Sequence, residues 1–140
     1  MSVGLLLITH GDIGEALISG ATGILGFSPL QMESLSVAPS DSLEQITAKA
    51  DTLISQFPNN SDILILTDLL GSTPSNVAGA LQQHGKINVV AGLNLPMLIK
   101  ILSHPSLTLQ RLTELAIEGG QQGVCEGMAQ SVYPMASTGK

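Results

Sequence analysis

The feature that most constrains this chain is a pair of apolar runs, Val3-Gly4-Leu5-Leu6-Leu7-Ile8 and Ile63-Leu64-Ile65-Leu66, with no polar residue inside either. A strand with one wet face alternates apolar and polar side chains. A strand apolar at every position is buried on both faces, as in a parallel sheet covered by helices above and below. Each run is followed by a segment in which apolar residues recur at helical spacing, and strand-period and helix-period segments alternate along the chain. The class that satisfies both patterns is α/β, an open and mainly parallel four-stranded sheet with helices on both faces.

The elements follow in order. The first strand is read from about Val3 to Thr9. A helix over Asp12 to Leu25 carries Ile13, Leu17, Ala21, Ile24 and Leu25 and stops at Gly26. Met32, Leu35 and Val37 mark a second strand. Pro39-Ser40-Asp41 supplies turn and capping chemistry for a helix whose face is Leu43, Ile46, Ala50, Leu53, Ile54 and Phe57. Ile63 to Thr67 is the third strand. Thr73 is read as the N-cap and Pro74 as the first residue of the next helix, with Val77, Ala80 and Leu81 facing inward. Ile87 to Ala91 is the fourth strand, Asn94 caps a short helix through Leu102, and Thr108 begins a last helix carrying Leu109, Leu112, Ala116 and Val124. The whole is one domain over residues 1–130, with 131–140 a disordered tail.

Composition narrows the function. Lys and Arg number 5 against 11 Asp and Glu, a net charge of -6. No basic run is present to neutralise a phosphate backbone, so nucleic acid is not an expected partner. The first apolar run is too short to span a bilayer and lacks the flanks of a signal peptide, so no membrane insertion is expected and the chain reads as soluble. The single Cys125 can form neither an internal disulfide nor a cysteine metal cluster, which agrees with a reducing cytoplasm, and it reads as an inert core or edge residue. Aromatic residues are 2% of the chain, too few for base-stacking or sugar platforms.

In an open parallel sheet, ligands meet the carboxyl ends of the strands near a switch in strand order. Polar residues stand at three such ends: Thr9-His10-Gly11-Asp12, Asp68 with its Gly/Ser/Thr loop, and Gly92-Leu93-Asn94. His10 is the sharpest candidate, because an imidazole directly after an apolar strand sits at the rim and Gly11 leaves room for a phosphate or partner to approach. Taken alone it reads equally as a hydrogen-bonded rim histidine. Asp68, at the end of another strand, can accept a hydrogen bond from one ring nitrogen, fix the tautomer and leave the other nitrogen as nucleophile. Taken alone it reads equally as a loop or capping acid. Gly71, Ser72 and Thr73 offer backbone N–H groups at a helix N-terminus and hydroxyl donors for an oxyanion, although an ordinary capped turn has the same composition. The lysine of a phosphate-binding loop and a Gly-x-Gly-x-x-Gly run are both missing, so nucleotide binding has little support. His84 and His104 read as surface residues without metal spacing to His10. Met97 reads as core.

Three ordered segments carry a family resemblance: Leu6-Leu7-Ile8-Thr9-His10-Gly11, Leu66-Thr67-Asp68-Leu69-Leu70-Gly71-Ser72-Thr73-Pro74-Ser75-Asn76, and Val90-Ala91-Gly92-Leu93-Asn94-Leu95-Pro96-Met97-Leu98. Together they resemble the mannose-type (mannose-fructose-sorbose) IIA domain of the bacterial phosphoenolpyruvate-dependent sugar phosphotransferase system, over about Ser2 to Val124. The resemblance implies strand order 2-1-3-4, a homodimer, and no required metal or organic cofactor. It also implies a cytoplasmic phosphohistidine relay. The residue matching His10 accepts a phosphoryl group from the phosphocarrier protein HPr and donates it to a IIB component, and Asp68 matches the aspartate that orients the histidine. Ser72, Thr73 and nearby N–H groups would then receive the phosphoryl oxygens.

The chain departs from the family pattern at Leu70, where members often carry an aromatic residue, and at Ser72-Thr73, where they often carry Gly-Ser. Both touch the expected partner surface. No fused IIB follows in the sequence, so a separate IIB, or none, is expected. Two other readings share these residues: a phosphorylation-dependent regulatory protein of an incomplete phosphotransferase system, and the phosphotransfer subunit of dihydroxyacetone kinase. The mannose-type pattern fits the first and third segments better than the latter does. A small-molecule binder without phosphorylation uses the same crevice geometry.

Overall fold

The computed structural model describes residues 2–81 and 86–127. His84, the tail at 131–140 and the end of the 1–130 domain lie outside the described residues. The elements are β1 (Gly4–His10), α1 (Ile13–Leu25), β2 (Met32–Val37), α2 (Leu43–Ile54), β3 (Ile63–Thr67), α3 (Thr73–Leu81), β4 (Ile87–Ala91), α4 (Leu95–Leu102) and α5 (Leu109–Gln122).

Four strands form one sheet in the order β2-β1-β3-β4, and every pairing is parallel. The continuous apolar runs are explained by position: β1 and β3 are the two central strands, and Leu5, Leu6, Leu7, Ile8, Leu64, Ile65 and Leu66 have no exposed surface. Alternate residues feed two cores. Leu5, Leu7, Leu64, Leu66 and Val90 pack with Ala21 of α1, Leu98 and Ile101 of α4, and Leu112 and Ala116 of α5. Leu6, Ile8, Ile63 and Ile65 pack with Ile46 and Ala50 of α2 and Val77, Ala78 and Leu81 of α3. Truncating one such leucine to alanine costs about 2–5 kcal/mol. That is enough to make this double burial the main determinant of register.

Crossing from β1 to β2 goes through α1 on one face, and returning from β2 to β3 goes through α2 on the other. The chain therefore leaves β1 in opposite directions on its two sides, and the crevice at the carboxyl ends of β1 and β3 is the switch point at which such sheets bind ligands.

Several local expectations change by a residue or more. Ser42, not the Pro39-Ser40-Asp41 turn, caps α2, in a reciprocal box with Gln45. Asp41 closes the preceding turn by accepting from Ala38 N–H at 2.8 Å. Phe57 is buried beyond the end of α2 instead of on its face. Asn94 and Thr108 cap α4 and α5 as expected. Val124 falls after the end of α5 and is exposed. Cys125, read as a core or edge residue, is also exposed, because the chain has left the packed face of α5 by that point. Met97 is core, and His104 is on the surface. Among the described residues no helix is long and apolar enough to cross a membrane.

Candidate active site

The site is set by strand ends. Pairing between β1 and β3 stops at Ile8 opposite Thr67. β1 continues through Thr9 and His10 against Ser36 and Val37 of β2, while β3 gives way to Asp68. Two polar side chains thus emerge side by side at the switch point.

Asp68 is bound from three directions. Oδ2 accepts from His10 backbone N–H at 2.9 Å and contacts His10 Nδ1 at 2.9 Å. Oδ1 accepts from Leu69 N–H at 2.9 Å. Burial raises the Asp68 carboxyl pKa, but hydrogen bonds from the His10 backbone and ring, the attraction of the His10 charge and the Leu69 N–H together outweigh it. The result lies below the ordinary value of 3.8. An ionised carboxylate only accepts hydrogen bonds, so the contact places the proton on Nδ1. The lone pair of the neutral ring is then on Nε2. The His10 side chain is 48% exposed and that of Asp68 is 12% exposed. The ring therefore meets solvent while the carboxylate bonded to it is shielded.

The turn at 71–73 lies at the same carboxyl edge but is organised differently from the expectation. Ser72, not Thr73, sits before the first residue of α3. Its carbonyl accepts from Asn76 N–H at 2.9 Å, and its hydroxyl donates to Leu69 C=O at 2.6 Å and accepts weakly from Ser75 N–H at 3.4 Å. Pro74 is accordingly the second residue of the helix. The Ser72 hydroxyl and N–H both donate to Leu69 C=O, so neither is free for an oxyanion, while Thr73 beside them is exposed. Gly71 has φ +84°, and no atom lies within 4 Å of where its Cβ would be.

The third loop is structural. Asn94 Oδ1 accepts from Met97 N–H at 2.9 Å and Nδ2 donates to Gly120 C=O at 3.1 Å, so both ends of this amide tie α4 to α5. Leu93 N–H donates to Thr67 C=O at 3.0 Å and fastens that loop to the end of β3. Among the described residues no group of three His, Cys, Asp or Glu side chains is placed to hold a metal ion. The sequence reading placed Thr9 at the strand end but gave it no role; it is a fully buried polar residue whose hydroxyl accepts from Gly14 N–H. A threonine interrupting apolar β1 just before the rim was the available signal.

The sequence profile described as "PTS system fructose IIA component" (EIIA-man) matches residues 4–115. The chain belongs to the EIIA-man family. The resemblance read from the three segments is thereby borne out, as are the α/β class and the 2-1-3-4 sheet. The mannose-specific EIIAB component of the PTS system of Escherichia coli (strain K12) is 28% identical over 131 residues, covering 89% of this chain and 39% of that protein. The chain therefore spans well under half the length of that relative. The PTS system fructose-specific EIIA component of Bacillus subtilis (strain 168) is 26% identical over 105 residues, 72% of this chain and 69% of that protein. Among solved structures, the mannose/sorbose specific IIA subunit of the phosphotransferase system from Enterococcus faecalis superposes with TM-score 0.84 at 28% identity, covering 95% of this chain and 100% of that one. By their names, these relatives are components of PTS systems.

Proposed function

We infer that this EIIA-man chain is a cytoplasmic phosphoryl carrier in sugar uptake, taking a phosphoryl group from HPr onto His10 and passing it to a IIB component. The observation that carries the reading is the division of labour in one imidazole: Nδ1 is held by Asp68 at 2.9 Å, and the half-exposed ring offers Nε2 to a partner. In the forward step the Nε2 lone pair attacks phosphorus in line as the P–N bond to the donor histidine breaks, and that donor nitrogen keeps the electron pair. The Nδ1 proton stays between His10 and Asp68, so the positive charge developing on the ring is balanced by the carboxylate. The N–H and hydroxyl of Thr73, at the start of α3, are the groups that would meet the phosphoryl oxygens.

Protein partners suit the surroundings. Ile13, Leu69 and Leu70, each within three residues of one of the two central groups, are large apolar residues left exposed, as a surface that docks protein against protein requires. Intact-protein mass after incubation with Enzyme I, HPr and phosphoenolpyruvate tests the reading. One acid-labile phosphoryl mass on the native chain and none on His10→Ala is expected, and no added mass with active donors would sink it. Light scattering on the same sample reads whether the carrier is the homodimer that the resemblance implies.

A further inference from the structure

Three hydrogen bonds pin the backbone around His10. Its own N–H donates to Asp68, Gly11 N–H donates to Val37 C=O at 3.0 Å, and Gly14 N–H donates to Thr9 Oγ1 at 2.9 Å. The first two hold the strand side of the turn. Only the third fastens its helix side through a side chain. Asp12 occupies the N-cap position of α1 yet makes no side-chain cap bond, so the Thr9 hydroxyl takes over the cap from five residues before Gly14.

The placement is specific. Thr9 has no exposed surface and follows Leu5 and Leu7 on the α1 side of β1. A Cβ on Gly14 would come within 2.6 Å of Ser34 Oγ and 3.2 Å of Thr9 Oγ1, so a glycine there lets the helix start drop onto the hydroxyl. The loop this bond closes contains His10 and Gly11, whose φ of +48° is the only left-handed residue of the turn. Without the bond, the start of α1 loses its side-chain anchor to β1, and the turn carrying the imidazole is held from the strand side alone.

We propose that Thr9 is a positioning residue for His10: its buried hydroxyl, by capping α1 through Gly14 N–H, fixes the turn that holds the imidazole against Asp68. The phosphoryl-transfer consequence rests on the carrier reading, whereas the geometric one does not. Thr9→Val keeps the shape and removes the acceptor. Its rate of phosphorylation by phospho-HPr is expected to fall about 10-fold or more, with Thr9→Ser within about twofold of the native chain because it restores the hydroxyl. Ser34→Ala is the packing control. Its Oγ lies against the same glycine and has no hydrogen-bond partner, and the variant is expected to keep the native rate.

A second readout needs no donor. Nitrogen-15 spectra of the His10 ring should show one tautomer, protonated at Nδ1, in the native chain and Thr9→Ser, and a mixture in Thr9→Val. A native rate and single tautomer in Thr9→Val would overturn the proposal. So would a Thr9→Ser as slow as Thr9→Val, or a Ser34→Ala equally slow, since either assigns the effect to packing. Should Thr9→Val not fold, Thr9→Ala against Thr9→Ser makes the same comparison. A native chain that takes no phosphoryl group removes the carrier reading, and the ring spectra still decide the role of Thr9.

Discussion

The turn after β1 and the turn after β3 begin alike and end differently. Each leaves a fully buried central strand, places a polar residue at the rim, turns through a glycine of positive φ and enters a helix. In the β1 turn the polar side chain spends one ring nitrogen on the protein and is half exposed. In the β3 turn both carboxylate oxygens are occupied, and the group is shielded. On the proposed carrier function, the difference separates a group that acts from a group that holds. A carrier has to keep one atom free, and an orienting group is most effective with none to spare.

The largest test of that contrast removes the holding charge. Asp68→Asn is close in size but loses the second acceptor oxygen and the negative charge facing Nδ1. The rate of phosphorylation at His10 is expected to drop on the order of 10²-fold, while His10 still takes the group at long times. A native rate in Asp68→Asn, read by rapid-quench mass measurement, would erase the distinction between the two turns.

The two glycines offer a smaller test. At Gly71 φ is +84°, beyond the left-handed well that other residues reach at about +50 to +70°. At Gly11 φ is +48°, close to that well. Neither has an atom within 4 Å of a Cβ, so the cost of alanine is conformational. Gly71→Ala is expected to lose about 1–2 kcal/mol in urea unfolding and Gly11→Ala about 1 kcal/mol or less. The reverse order would show that the β1 turn is the more strained of the two.

The smallest effect is in the acid limb. The Asp68 carboxyl titrates below its ordinary value in the folded chain, so the folded state binds that proton less readily than the unfolded one. Its contribution to stability is fully present above the ordinary value and is lost as pH falls through the lowered one. Urea midpoints followed from about pH 5 to about pH 2 should decline more shallowly in Asp68→Asn than in the native chain. Parallel declines would show that the β3 carboxylate gains nothing from the β1 turn.

How much of this was legible follows from the range of each interaction. The strand Ile63–Thr67 was readable to the residue because an uninterrupted apolar run needs burial on both faces, and the edge strand Ile87–Ala91 was readable although Asn88 interrupts its apolar residues. The caps Asn94 and Thr108 were readable because capping is local chemistry. The same local signals were ambiguous where several small polar residues stood together, and the caps of α2 and α3 fell to Ser42 and Ser72 instead of their neighbours. Val124 and Cys125 went wrong because helical spacing does not say where a helix stops touching the core.

By itself the sequence determined the α/β class, the central strands and the polar residues at their ends, since those depend on periodicity and on residue type alone. Only the tertiary structure decided that His10 and Asp68, 58 positions apart, share a hydrogen bond, that the Ser72 hydroxyl is spent within its own turn, and that Thr9 caps a helix from inside the core. Each of those is a matter of which atoms lie within about 3 Å of one another. For His10 and Asp68 that distance is set by strand order and register, which no single segment carries; for Ser72 and Thr9 it is set by the backbone path of a short turn, which residue type alone does not fix.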